Sequence, residues 1–581
     1  MARSATGRRW TWRLGDARIG AALAQAAGVS ELTGRLLAAR GIGPESIADF
    51  LAPSIRALMP DPSLMADMDR AAGRIAEAVV RRERVAVFGD YDVDGACATA
   101  LLCHWLAALG ATVEPYIPDR AAEGYGPSAA ALSALADRGA GLIICADCGT
   151  AAEPAIATLG GRADVVVLDH HAVDTLPPSA LAVVNPNRPD DASGLGGLCA
   201  AGVALMAAVA TNRALRRAGR PPAGQAADLL GLLDLVALAT VCDVMPLNGL
   251  NRAFVAQGLK VMAEAPRPGL AALAELAALR QPPDAWTLGF VFGPRINAGG
   301  RIAQADLGVR LLLAGEVGPA RELAARLDQV NRERRGIEAG MLEAAVARAE
   351  AQMDQGRAVL LVAGEGWHPG IVGIIAGRLR ERFNRPAFAL AIEGGQAKGS
   401  GRGVPGLDLG AAVIAARQAG LLERAGGHAA AAGFALPAEG VPALHVFLEQ
   451  RLCLAAGLPR AADLLLDGML SVDAATPGFA AEVARLAPFG SLHPEPVFAL
   501  PRARIARAER MGAEQSHVRL FLSGEAGGRL KGVAFRCADT ALGGLLLGSA
   551  GRAVHLAGHL RVETWGGVER TSLHVLDGVL A

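Results

Sequence analysis

Short apolar runs alternate with amphipathic stretches in the first half of the chain. RVAVFG (84–89), TVEPYIP (112–118), GLIICAD (141–147) and DVVVLDHH (164–171) are too short for helices and predict strands. AVVNPN (182–187) is a further candidate strand. Between them, ACATALLCHWLAALG (96–110) and SAAALSALADRG (128–139) predict helices that stop at glycine. Such alternation predicts an α/β fold with a parallel sheet covered on both faces. Right-handed crossovers then bring every carboxyl strand end to one edge. Residues 1–80 predict helices with short turns, ending in a regular helix near 66–82. Residues 195–320 read as largely helical, with a loop around 280–302. The charged stretch 315–353 predicts one or two extended helices. A second α/β unit follows, with strands at 358–364 and 386–392 around a helix at 371–384. Five short β-type segments with glycine turns at 503–510, 516–523, 530–537, 552–565 and 571–580 predict a small β-barrel.

Composition narrows the class. The 581 residues balance 57 basic against 57 acidic side chains, which excludes a globally basic nucleic-acid coat but not a local basic groove. Only three lysines (Lys260, Lys398, Lys531) occur, so a single arginine carries little weight. Eight cysteines are sparse and sit mostly in apolar runs; Cys145 and Cys148 form a CxxC without a second ligand pair. A reducing, cytoplasmic setting is expected. The N-terminus lacks the apolar run of a signal peptide, and the apolar window 194–211 is rich in small residues, so we expect a buried helix and no membrane partner.

The strongest chemical signal is FGDYDVDG, where a buried strand ends in Asp90, Asp92 and Asp94 before a helix begins. Three carboxylates this close repel one another unless a cation neutralises them. An acidic N-cap would need only one. Asp147 ends a second strand and Asp169-His170-His171 a third, on the same sheet edge. Asp243 follows an apolar helix in an uncharged run, where an isolated carboxylate is costly to bury. A carboxylate-rich set with few imidazoles suits Mn²⁺ or Mg²⁺. The inventory exceeds the needs of one ion and fits two divalent cations.

These motifs resemble the DHH phosphoesterase superfamily: DYDVDG, the lone Asp147, DHH, and GGHAAAAG (426–433), which resembles the glycine-rich motif of the associated DHHA1 domain. FGPRINAGGRI (292–302), QVNRERR (329–335), GWHPGIVGIIAGRLRERFNRP (366–386) and KGSGRG (398–403) support it. The resemblance implies a helical extension (1–80), a DHH catalytic domain (81–314), a connecting helix (315–354), a DHHA1 substrate-binding domain (355–457) and an OB-type domain (458–581). It implies that Asp90 and Asp92 hold one metal and that Asp94, His170 and Asp243 serve the second. Asp147 would bridge the two, and His171 would face the scissile phosphate. Related pyrophosphatases have His where this chain has Asp90, which weakens that reading.

Phosphate contacts are expected elsewhere. Gly426, Gly427 and His428 suit a backbone nest, and Lys398, Ser400 and Arg402 read as an anion-suited loop. Arg295, Asn297 and Arg301 bracket a glycine loop; an interdomain salt bridge is the rival reading for the arginines. Trp367 could stack on a base or fill a core; His368 and Arg378 lie in the same supporting stretch. Arg502, Arg504, Arg507 and Arg510 form a candidate strand-tracking face or a solvated edge, with Phe521, Phe535 and Trp565 as available aromatics.

The resemblance implies a single-stranded-DNA-specific 5′→3′ exodeoxyribonuclease, using two-metal hydrolysis to release 5′-mononucleotides in DNA recombination and repair. Its partner would be single-stranded DNA with a free 5′ end, supplied by a helicase and a single-strand-binding protein. A narrow channel between the DHH and DHHA1 domains would exclude duplex. The rivals are a DHH/DHHA1 phosphodiesterase for short oligonucleotides or cyclic dinucleotides, and a scaffold that has lost catalysis. The complete ligand set argues against the scaffold.

Overall fold

The computed structural model describes residues 4–581, apart from 121–122, 125, 174, 178, 460 and 566–567. The chain divides into two compact units. One comprises Ile42–Asn331 with Arg485–Glu495; the other comprises Met1–Gly41, Arg332–Ala484 and Pro496–Ala581.

The first unit is built on a five-stranded parallel sheet. Its spatial order is Thr112–Tyr116, Arg84–Gly89, Ala140–Ala146, Asp164–Leu168, Ala182–Val184. Successive side chains of Arg84–Gly89 enter two different cores. Val85 and Val87 pack under the helices Met68–Arg81, Val93–Ala108, Ala200–Arg217 and Leu233–Cys242. Ala86 and Phe88 pack with Ala129–Asp137 on the other face. Strands buried on both faces are the reason these runs are continuously apolar. The chain leaves Arg84–Gly89 toward one side and returns on the other, so the topological switch falls between Arg84–Gly89 and Ala140–Ala146.

The expected loop at 280–302 holds only to residue 284 and is helical from Ala285 on. Ala285–Thr287, a π-helical turn Leu288–Phe292 and Gly293–Ile302 follow one another directly. The glycines that suggested a loop serve close packing: a Cβ on Gly300 would lie 2.6 Å from the Tyr91 carbonyl oxygen.

In the other unit, a mixed sheet has the order Arg424–His428, Ala431–Pro437, Gln396–Arg402, Ala387–Glu393, Leu360–Glu365. KGSGRG is therefore a strand, not a loop. Its glycines face inward, where Gly399 meets the ring of Phe434 and Gly401 that of Phe388. GGH is likewise a strand, paired in a hairpin with Ala431–Pro437. The C-terminal barrel closes because Phe498–Met511 pairs with both His517–Ser523 and Ala553–Trp565, with Arg529–Ala534 and Val568–Leu580 completing five strands. Residues 1–80 are not wholly helical: Trp10–Trp12 forms a strand, parallel to Leu464–Leu466. A three-residue strand with a partner over 450 positions away leaves no local signal. The expected extended helix is a single one, Val317–Asp354, and the unit boundary falls inside it. No helix among the described residues is long and apolar enough to cross a membrane.

Candidate metal centre

Strand register builds this site. Gly89 pairs with Ala146, Ala146 with Leu168, and Leu168 with Val184. The next residues, Asp90, Asp147, Asp169 and Asn185, therefore stand in a row at the carboxyl edge, across the switch point where α/β sheets bind ligands. Asp147 adopts φ +64, a left-handed turn directly after its strand.

The other carboxylates come from helix ends. Asp92 caps Val93–Ala108, accepting the Gly95 N–H at 3.1 Å. Asp94 accepts the N–H groups of Ala200 (2.6 Å) and Ala201 (2.8 Å), at the positive end of Ala200–Arg217. Asp243 ends Leu233–Cys242. His170 Nε2 lies 3.3 Å from Asp147 Oδ1, 3.5 Å from Asp243 Oδ2 and 3.7 Å from Asp94 Oδ2.

Among the described residues, three groups have ligand atoms all within 4.8 Å of one another: Asp90/Asp92/Asp147, Asp94/His170/Asp243 and Asp147/His170/His171. Asp147 joins the first to the third. Burial pushes Asp90 and Asp147 well above the usual carboxylate range, helped by neighbouring carboxylates. Burial also raises Asp94, and it pushes Asp243 up to about 8. The buried oxygens Asp90 Oδ1 and Asp243 Oδ2 accept no hydrogen bond among the described residues. This donor set fits divalent cations of the Mn²⁺ or Mg²⁺ kind: it is rich in carboxylate, contains imidazole, and its charges oppose one another without positive ions.

A supporting layer escaped the sequence reading. Asp169 accepts Thr150 Oγ1 (2.6 Å), the His170 N–H (2.7 Å) and His171 Nδ1 (2.8 Å). Burial opposes its ionisation, but these donors and the His171 charge hold its carboxyl well below the usual range. Burial also opposes the His171 cation, yet Asp169 raises that imidazole to about 9. Asn185 donates to Thr150 Oγ1 (3.1 Å) and the His171 carbonyl (2.8 Å); Asn187 donates to the His170 carbonyl (2.6 Å). The NPN that follows the last strand was the available signal.

The remaining candidates separate. Asn297 accepts the Val93 N–H at 3.1 Å and so holds the acidic turn. Arg295 is committed to Asp328 (2.9 Å) and the Val291 carbonyl (2.8 Å), the salt-bridge alternative. Arg301 lies near enough to Tyr91 to act on its hydroxyl's ionisation. In the other unit, Arg378 contacts Glu338 (3.3 Å), Trp367 lies under Arg348 and against Gly364, and His368 Nδ1 accepts the Gly370 N–H. Lys398, Ser400 and Arg402 share one sheet face, in cross-strand rows with Ala435 and Arg424, Gly433 and Gly426, and Ala431 and His428. Gly427 pairs instead with the core residue Ala432, and a Cβ there would lie 2.4 Å from the Ala431 carbonyl oxygen. Arg502, Arg504, Arg507 and Arg510 are exposed, but Arg507 is paired with Glu509 and Arg510 with Asp539. The Trp565 side chain lies outside the described residues.

A carboxylate and imidazole cluster at this switch point, with a glycine-floored mixed sheet and a closed barrel, defines a multidomain DHH-type phosphoesterase. Family comparisons match the DHH family N-terminal domain at residues 84–240, the DHHA1 domain at 355–452 and the RecJ OB domain at 466–577. Proteins named single-stranded-DNA-specific exonuclease RecJ are similar over almost the whole chain. That of Bacillus subtilis is 34% identical, covering 95% of this chain and 68% of its own; that of Dickeya dadantii is 36% identical, covering 93% and 94%. The crystal structure of Thermus thermophilus RecJ in complex with Mn²⁺ superposes with TM-score 0.79 at 30% identity, covering 99% of this chain and 80% of that one. Its Mg²⁺ complex gives 0.74 at 29%, covering 98% and 78%. The chain belongs to the RecJ family.

Proposed function

We infer that this protein is a single-stranded-DNA-specific 5′→3′ exonuclease that works by two-metal hydrolysis with Mn²⁺ or Mg²⁺. The observation that carries the reading is the convergence of Asp90, Asp92, Asp94, Asp147, His170 and Asp243 in a chain of this family. Asp90, Asp92 and Asp147 would hold one cation; Asp94, His170 and Asp243, with Asp147 shared, the other. Such a pair lowers the pKa of water and steadies both oxygens of an in-line displacement.

The chain's own groups have distinct tasks. The amides of Ala200 and Ala201 fix Asp94, and Asn187 fixes the His170 backbone. Asp169 orients His171 and favours its protonated form, so the half-exposed ring is placed to donate to the scissile phosphate. Water attacks phosphorus, the bond from phosphorus to O3′ of the terminal nucleotide breaks, and a 5′-mononucleotide leaves. On the other unit, the Ser400–Gly433–Gly426 strip with Arg402 and His428 suits the strand's phosphates, since a bare floor lets a backbone approach closely. Recombination and repair in the cytoplasm, on single strands supplied by a helicase and coated by a single-strand-binding protein, is the setting this activity fits.

The test is digestion of a 5′-labelled single strand, with duplex and 3′-labelled controls, in Mn²⁺, Mg²⁺ or EDTA. Metal-dependent release of the 5′ label as mononucleotide, absent on blunt duplex, is expected. Intact long strands beside rapid dinucleotide cleavage would move the protein to the small-substrate class.

A further inference from the structure

The helical turn beside Asp243 exposes two large aromatic rings that the metal centre does not use. In the π-helical turn Leu288–Phe292, the Gly293 N–H donates to the Leu288 carbonyl five residues back. Such widened turns are rare and recur at functional sites. Leu288 and Phe292 are fully buried, whereas Trp286 and Phe290 are 52% and 69% exposed. Their ring centroids lie 5.7 Å apart with planes 26° apart, a stacked pair open on its outer side.

The inner side of this turn is fixed to the end of the helix that carries Asp243. Cys242 Sγ donates to the Leu288 carbonyl at 3.4 Å. A Cβ on Gly289 would lie 3.4 Å from Val241 Cγ1, and one on Gly293 only 2.6 Å from Cys242 Sγ. Asp243 is the next residue. Val244, after it, is 68% exposed and holds φ +59, a conformation that β-branched side chains rarely adopt. The widened turn that carries the rings is thus tied to the edge of the metal centre through Cys242, and Val244 adds exposed apolar surface beside Asp243.

We propose that Trp286 and Phe290 form a base-stacking site for the single strand next to the scissile phosphodiester. This deepens the exonuclease reading and rests on it. Position selects the occupant, because the turn that carries the rings is hydrogen-bonded to Cys242, the neighbour of a ligand candidate for the reacting metal. Ring chemistry agrees: every nucleobase has a π face, so an aromatic platform binds any sequence as the strand advances.

The test compares wild type, Phe290→Ala and Phe290→Tyr in Mn²⁺ on a 5′-phosphorylated oligodeoxyadenylate, and on the same oligonucleotide with abasic residues near its 5′ end. Binding is read by fluorescence anisotropy in an Asp147→Asn background. Phe290→Ala is expected to raise KM and Kd roughly tenfold, to leave kcat near wild type, and to abolish the penalty for abasic residues; Phe290→Tyr restores all three. Circular dichroism and thermal melting establish that the variants are folded, and Trp286→Ala provides a second variant. An active wild type beside a folded Phe290→Ala with unchanged Kd and an intact abasic penalty overturns the stacking site alone. A wild type that leaves the oligonucleotide intact overturns the exonuclease reading and the stacking site with it.

Discussion

At the carboxyl edge of the parallel sheet, carboxylates crowd an imidazole so closely that two buried oxygens accept no hydrogen bond among the described residues. On one face of the mixed sheet, beside the helix Val372–Phe383, Gly426, Gly433 and Ser400 lie opposite one another across three strands with almost no side-chain bulk. One surface concentrates buried negative charge; the other removes side chains and leaves Lys398, Arg424 and His428 exposed around a bare floor. A cation site needs ligands held rigidly against their own repulsion, so every member is fixed by a helix end or a strand terminus. A phosphate-backbone site needs close approach of the main chain. Substitutions should therefore act on catalysis at the first surface and on binding at the second.

The largest effect is expected for Asp147→Asn, which removes the shared carboxylate. Turnover should fall by at least about a thousandfold, while the melting temperature in EDTA stays level or rises because one buried charge has gone. Unchanged turnover would sink the two-metal site. Next, excess Mn²⁺ should raise the melting temperature of wild type, since ligand at about 100 times Kd adds roughly 2.7 kcal/mol; Asp243→Asn should lose most of that gain. Asn187→Ala tests the supporting layer. A loss of about 10- to 100-fold in metal affinity, read by Mn²⁺ titration of activity, is the expected outcome.

The glycine strip gives a sharper contrast. A Cβ at Gly433 meets nothing within 4 Å, so Gly433→Val should fold normally yet raise KM about tenfold or more by blocking the strand. Gly427→Ala should instead lower the melting temperature, because its Cβ would strike the Ala431 carbonyl and its φ of +148 disfavours a side chain. If Gly433→Val bound DNA like wild type, the face would have another purpose. The smallest effect is expected on the barrel. Arg507 and Arg510 already pair with Glu509 and Asp539, so Arg507→Ala should change the salt dependence of binding by less than one full phosphate contact.

Deleting residues from 461 onward would not isolate the barrel. It would also remove Leu464–Leu466, the partner of Trp10–Trp12, and Asp467, which pairs with Arg40 at 3.1 Å.

The strands of the parallel sheet, the acidic turn and the candidate ligand inventory were legible in the order of residues alone. These are local facts: apolar runs end in carboxylates, and period and charge are written in consecutive residues. The motifs also carried enough family resemblance to order the domains. Other features depended on distant partners. GPRINAGGRI and KGSGRG look like glycine loops until Tyr91, Phe388 and Phe434 occupy the space their missing side chains leave. That Arg295 pairs with Asp328, 33 residues on, shows only in the fold. Asp169, Asn185 and Asn187 gain their task only when strand register aligns them behind His170 and His171. Register, close packing and ion pairing join residues far apart in the chain, and which of them meet is settled only in the folded molecule.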